Sequence, residues 1–153
     1  MTAQSAAIHF DTLRKSGGRI TPTVRTIINI LYASKQILSP QQLKDKTSDE
    51  LGCAIGFPTI YRVIDRLLQA GLICPMHSTE NQTSYFLCRH PRDRHHHHFI
   101  CSKCKKVQEV NLCTADRFEE FVEKELNAKV TEHIMQFAGI CGGCREGKEG
   151  YLC

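Results

Sequence analysis

The chain has no tryptophan, and aromatic residues make up only 7% of its 153 positions. A large aromatic core is thereby excluded. No apolar run approaches the ~20 residues that a bilayer-spanning helix needs. The opening residues, MTAQSAAIHF, lack the basic-then-apolar order of a secretory signal. Together these absences predict a cytoplasmic protein with no membrane partner. A strong charge imbalance is missing too. The formal net charge of +4 permits nucleic-acid binding without demanding it. The length suits one ordinary domain or two small ones, and small domains commonly supplement a thin core with metal ions or disulfides.

Cysteine is scarce in the first half and abundant in the second. Only Cys53 and Cys74 precede Cys88, whereas seven of the nine cysteines and six of the eight histidines lie from Cys88 onward. A reducing compartment argues against a disulfide framework. The crowding of ligand types into one half therefore predicts two domains with different tasks.

In the first half, Thr21-Pro22 has the form of a helix start, a hydroxyl cap followed by proline. Val24, Ile27, Ile28 and Leu31 then recur at helical spacing. Ser39-Pro40 repeats the start and predicts a short helix through Leu43. Beyond a loop at Gly52 to Gly56, a third helix begins near Pro58, with Ile60, Val63, Ile64, Leu67 and Leu68 as its apolar stripe and Gly71 as its stop. Leu72 to Met76 and Ser84 to Cys88 read as two strands joined by a turn at Thr79 to Gln82. Three helices and a hairpin make a winged helix-turn-helix. The expected division is a winged-helix domain over 1–88 with its wing at about 72–88, a hinge over 89–94, and a smaller α/β domain over 95–153. The class is α+β. In the smaller domain, strand pieces are expected between Phe99 and Val110, an amphipathic helix from Asp116 to Leu126, and a strand from Lys129 to Ala138.

The strongest chemical signal is Cys101-Ser-Lys-Cys104 followed, after 36 residues, by Cys141-Gly-Gly-Cys144. Two residues between thiolates form a knuckle that presents both sulfurs to one ion, and two knuckles complete the tetrahedral four-sulfur set that zinc favours. With no open position, such a Zn²⁺ ion is structural. A redox reading needs a single such pair beside a βαβ pattern, which is absent.

His95-His96-His97-His98 runs directly into Phe99-Ile100-Cys101 and is no terminal tag. On an extended backbone, His95 and His97 face one side and His96 and His98 the other. One strand can thus serve two metal sites. His77, Cys88, Glu109, Asp116 and His133 are the available partners. The opposing reading is a solvated polar loop.

From about Arg14 to Cys144 the chain resembles the ferric uptake regulator family of bacterial metal sensors. The resemblance rests on Thr59-Ile60-Tyr61-Arg62-Val63, the histidine run leading into Cys101-x-x-Cys104, His133, and Cys141-x-x-Cys144. It implies a winged-helix DNA-binding domain, a dimerisation domain, and metal-dependent repression at palindromic double-stranded operators by a homodimer. It also implies DNA contacts from Thr59, Tyr61 and Arg62 on the recognition helix and from Arg19 at the minor groove. Arginine can pair bidentately with guanine, and tyrosine can touch a thymine methyl.

The iron-sensing branch draws a histidine from the second-to-third helix region, where this chain has Gln36-Ile37-Leu38-Ser39-Pro40. Cys88, closing the second wing strand eleven residues after His77, instead resembles the zinc uptake regulator branch. Thiolate with imidazole favours zinc, while oxygen-rich sets suit harder ions such as Mn²⁺. The implied sensing site is His77, Cys88, His96 and either His98 or Glu109. A second regulatory site is implied at His95, His97, Asp116 and His133, with aspartate where the family usually has glutamate. Fe²⁺ or Mn²⁺ at the regulatory sites is the alternative, in an iron, manganese or peroxide sensor of the same build.

Ligands drawn from both domains would fix the hinge and set two recognition helices ~34–36 Å apart, or a multiple, on DNA. A zinc hydrolase or deaminase is disfavoured, because the four-cysteine set is closed and H-x-E before P-C-x-x-C is missing. No small-molecule substrate is expected. A zinc-ribbon adaptor that binds only protein would not need Tyr61 and Arg62. Roles for Cys53, Cys74, Cys113 and Cys153 are left open.

Overall fold

The computed structural model describes residues 4–77, 83–88, 97–110 and 113–147. The chain divides into two compact units, Met1–Arg92 and Asp93–Cys153.

The first unit is helical. It contains α1 (Gln4–Lys15), α2 (Pro22–Ala33), α3 (Pro40–Leu51) and α4 (Phe57–Gln69), then an antiparallel hairpin of β1 (Ile73–His77) and β2 (Thr83–Leu87). Thr21 caps α2 by accepting from the Val24 amide. Ser39 and Gln42 form a reciprocal capping box at α3. Both caps hold a proline in the first turn, where its missing N–H costs nothing. Val24, Ile27, Ile28 and Leu31 of α2 meet Leu43 of α3 and Ile60, Ile64 and Leu67 of α4 in one core, all nearly or fully buried. Gly71 takes φ +64°, the left-handed turn that stops α4 and sends the chain into the wing.

Three features depart from expectation. The helix α1 was not anticipated; it buries Phe10 and Leu13 in the same core. His9, also buried, donates from Nε2 to the Cys88 carbonyl at 2.8 Å, tying α1 to the end of the wing. The helix α3 runs to Leu51 rather than stopping at Leu43, and buries Thr47 a turn later. Leu38 exchanges two backbone hydrogen bonds with Tyr85, at 2.9 and 2.8 Å, adding a bridge to the wing from the segment before α3. The turn expected at Thr79 to Gln82 and the hinge over 89–94 lie outside the described residues.

The second unit has a three-stranded sheet in the order β4-β3-β5, from β3 (His97–Cys101), β4 (Val107–Val110) and β5 (Gln136–Gly139). The β3 strand pairs antiparallel with β4 and parallel with β5. The helix α5 (Asp116–Leu126) has the limits read from the sequence, and a single turn, α6 (Gly142–Arg145), follows Cys141. The expected strand from Lys129 shortens to four residues. The Val130 amide is taken by the Glu123 carboxylate at 2.8 Å and cannot join a ladder. No residue of α5 is buried: Phe118, Phe121 and Leu126 are 72%, 63% and 70% exposed. No helix among the described residues is long and apolar enough to cross a membrane.

Candidate metal centres and nucleic-acid face

The α4 stripe fixes what α4 shows to solvent. With Ile60, Val63, Ile64 and Leu67 turned inward, Tyr61, Arg62, Asp65 and Arg66 are left exposed, and Thr59 is half-buried. Arg62 Nε donates to the Pro58 carbonyl at 3.2 Å, a light restraint that leaves the guanidinium outside. Tyr61 stacks on Phe57 with ring centroids 6.1 Å apart, and the Lys44 ammonium sits 5.5 Å over Phe57. Phe57 and Lys44 were not read from the sequence, although Phe57 and Tyr61 stand at i and i+4. Arg19 is exposed, and its carbonyl accepts from Arg66 Nη1 at 3.3 Å. The face therefore offers cations from three segments around two exposed aromatic rings.

The four-cysteine set converges as its spacing predicts. Ligand atoms of Cys101, Cys104, Cys141 and Cys144 lie within 4.8 Å of one another. The Cys104 and Cys141 sulfurs are 3.8 Å apart. Lys105, at φ 59°, turns the first knuckle, and the second opens α6. Burial pushes the Cys101 thiol up, but backbone N–H groups of Cys104, Cys141 and Lys103 outweigh it and bring it down to about 6. Cys144 goes the other way, to about 12, through desolvation and then its contacts with the other three cysteines. Cys104 is raised as well, desolvation leading. Four sulfurs this close cannot all carry charge unaided, and a divalent cation resolves the repulsion. The donor set fits zinc.

The histidine strand is described from His97 onward; His95 and His96 lie outside the described residues. His97 and His98 are both buried. Neighbours on a strand point to opposite faces. His97 joins Cys113 and His133 in a group whose ligand atoms also lie within 4.8 Å. Asp116, expected there, is instead exposed at the first position of α5 and is not part of that group. His133 Nδ1 meets the Glu119 carboxylate at 2.5 Å. His98 stands opposite Glu109 in the β3–β4 register. Directly opposed side chains start about 4.5–5.5 Å apart, so the two can serve together rather than as alternatives.

The wing requires one correction. Cys88 and Cys74 are joined in a disulfide, although an oxidised pair was not expected. The hairpin makes this possible: β1 carries Cys74 alongside β2, and the Cα atoms of Cys74 and Cys88 come to 6.5 Å. Cys88 is a candidate ligand only in the reduced protein, because a disulfide sulfur carries no thiolate charge. His77 is exposed at the end of β1.

A model of the ferric uptake regulator family matches residues 15–138. The ferric uptake regulation protein of Campylobacter jejuni is 29% identical over 137 residues, covering 89% of this chain and 85% of that protein. The peroxide-responsive repressor of Staphylococcus epidermidis is 26% identical over 135 residues, covering 88% and 87%. Among solved structures, a zinc uptake regulator complexed with zinc and DNA superposes with a TM-score of 0.79 at 22% identity, covering 97% of this chain and 99% of that one. A recognition helix with a wing, ligand clusters in a separate unit, and a match spanning most of the sequence agree: the chain belongs to the ferric uptake regulator family of metal-responsive transcriptional regulators.

Proposed function

We propose that the protein is a zinc-responsive repressor that binds palindromic operator DNA as a homodimer and controls metal-homeostasis genes. The observation that carries the reading is Cys88: a cysteine ends the wing of the DNA-binding head, immediately before the segment that leads to the histidine strand. A thiolate there biases the site toward zinc, whereas carboxylate and water sets favour harder ions.

Cys101, Cys104, Cys141 and Cys144 hold a structural zinc ion in this reading. His77, Cys88, His96 and the opposed pair His98 and Glu109 supply the sensing site. His97 and His133 belong to a second regulatory ion. Zinc supplies a charge that draws ligands from both sides of the hinge together, and the reduced form of Cys88 is the competent one. The head then presents Tyr61, Arg62 and Thr59 to the major groove and Arg19 to the minor groove. The exposed apolar face of α5 supports a homodimer, since Phe118, Phe121, Val122 and Leu126 form a patch of the kind that marks association. Function in the cytoplasm is part of the same proposal.

Duplexes selected from a random-sequence library supply the test. Binding is measured at buffered free Zn²⁺, Fe²⁺ and Mn²⁺ with a non-metal reductant present. Selection of a palindrome at lower free zinc than iron or manganese supports the reading. Selection that follows iron or manganese overturns zinc sensing, and selection independent of any metal overturns metal sensing. Substituting both Tyr61 and Arg62 with alanine is expected to abolish selection while leaving metal content intact.

A further inference from the structure

The cluster around His133 has a ligand that no spaced motif announces. Three segments bring it together: His97 from β3, Cys113 from the stretch before α5, and His133 from the stretch before β5. The Cys113 sulfur lies 3.4 Å from His133 Nε2, and His133 Nε2 lies 3.5 Å from His97 Nε2. Ligands bound at about 2.0–2.3 Å on a tetrahedron stand roughly 3.3–3.8 Å apart, so both separations equal tetrahedral edges.

Two neighbours prepare these atoms for a cation. Glu119, one turn into α5, meets His133 Nδ1. With a carboxylate there, Nδ1 carries the proton, and Nε2 keeps its lone pair directed at His97 and Cys113. The Ala115 amide donates to the Cys113 sulfur at 3.4 Å, as the Cys104 and Cys141 amides donate to Cys101 in the four-cysteine set. The contact holds the Cys113 sulfur in place beside the two imidazoles.

We propose that Cys113 is a metal ligand, completing with His97 and His133 a sulfur-containing divalent-cation site in which Asp116 takes no part and Glu119 positions His133. The proposal deepens the second regulatory site named above and rests on that reading for its role in DNA binding, not for its ligands. The consequence is selectivity. A Cys-His-His set favours zinc over manganese, whereas an aspartate in the same place would lean toward harder ions. Among the described residues three ligands converge here, against four in the four-cysteine set.

The test is cobalt(II) titration without DNA, so its outcome is independent of whether the protein senses zinc on an operator. The four-cysteine set is first filled with zinc, and Cys74 and Cys88 are replaced by serine so that no wing thiolate contributes. We expect one cobalt per chain that shows a sulfur-to-cobalt charge-transfer band; an ion held by His77, His96, His98 and Glu109 alone would show none. Cys113→Ser should remove the band and weaken cobalt binding at least tenfold. Asp116→Asn should leave both unchanged. Glu119→Gln should keep the band and weaken binding about 10–100-fold, as loss of an orienting partner does. Cys113→Asp guards against a misfolded serine variant: it should bind cobalt without the band and narrow the preference for zinc over manganese. A band unchanged in Cys113→Ser, or cobalt lost in Asp116→Asn with the band abolished, overturns the proposal.

Discussion

Replacing Cys101 with serine separates the two units by what holds each together. Among the described residues, the first unit owns a core of seventeen buried hydrophobic residues, from Phe10 to Leu87. In the second, the buried hydrophobic residues among those described are Ile100, Val107 and Ala115, together with Cys101 and Cys141. Burying a side chain of valine or isoleucine size is worth ~1.5–3 kcal/mol, so Ile100 and Val107 contribute about 3–6 kcal/mol. A structural zinc site contributes ~10–16 kcal/mol. That exceeds the hydrophobic share and rivals the whole stability of an ordinary domain, ~5–15 kcal/mol. Cys101 is also fully buried and accepts from the Cys104 and Cys141 amides among others, which lose their partner in its absence. Cys101→Ser should therefore unfold the second unit and spare the first. Hydrogen exchange read by mass spectrometry, at protein concentrations low enough to prevent dimerisation, reports both at once. Protection should vanish across β3 and β4 and persist on α2 and α4, with one zinc fewer per chain. A variant that keeps β3–β4 protection without that zinc would show that metal does not hold this unit together.

Four further outcomes follow. At neutral pH the raised thiols of Cys104 and Cys144 hold protons in metal-free protein, whereas Cys101, at about 6, does not. Zinc must expel at least those two protons, so its dissociation constant should rise about 100-fold for each unit of pH lowered from 8 to 7, checked by competition with a chromophoric chelator. In the proposed sensing site, oxidation of Cys74 and Cys88 would remove the Cys88 thiolate, so disulfide-bonded protein should bind fewer zinc ions than phosphine-reduced protein; equal stoichiometry contradicts Cys88 as a ligand. Phe118→Glu with Phe121→Glu should convert the proposed homodimer to monomer in analytical ultracentrifugation, since both rings lie on the exposed α5 face. Gly71→Ala forces a side chain into φ +64° and should cost ~1–2 kcal/mol in urea unfolding, although open space surrounds the site.

What the sequence disclosed follows from how local each feature is. The α2, α4 and α5 helices were legible because each carries an apolar stripe at helical spacing, and α2 also a proline after a capping hydroxyl. The four-cysteine set was legible because its spacing is the chemistry. The α1 helix escaped because its buried contacts, Phe10 and Leu13, are sparse and its deepest polar group, His9, acts through a partner 79 residues away. The extent of α3 escaped because its last inward residue is Thr47, not an apolar one. The Leu38–Tyr85 bridge and the Cys113 cluster are convergences of distant segments, and no window of sequence contains them. Asp116 is exposed on α5, whereas Cys113, three residues earlier, brings its sulfur beside His133 and into one group with His97, a convergence that spacing along the chain does not reveal.

Reciprocal linkage tests the coupling itself. If metal at the regulatory sites sets the posture of the DNA-binding head, operator DNA must tighten regulatory metal binding by the same factor by which metal tightens DNA binding. Zinc affinity is measured with and without the selected duplex, and duplex affinity with and without regulatory zinc, the four-cysteine set being filled throughout. The account predicts two equal ratios, each about 5–150-fold. Ratios of one would contradict it, because the metal and the DNA would then be bound by parts that do not communicate.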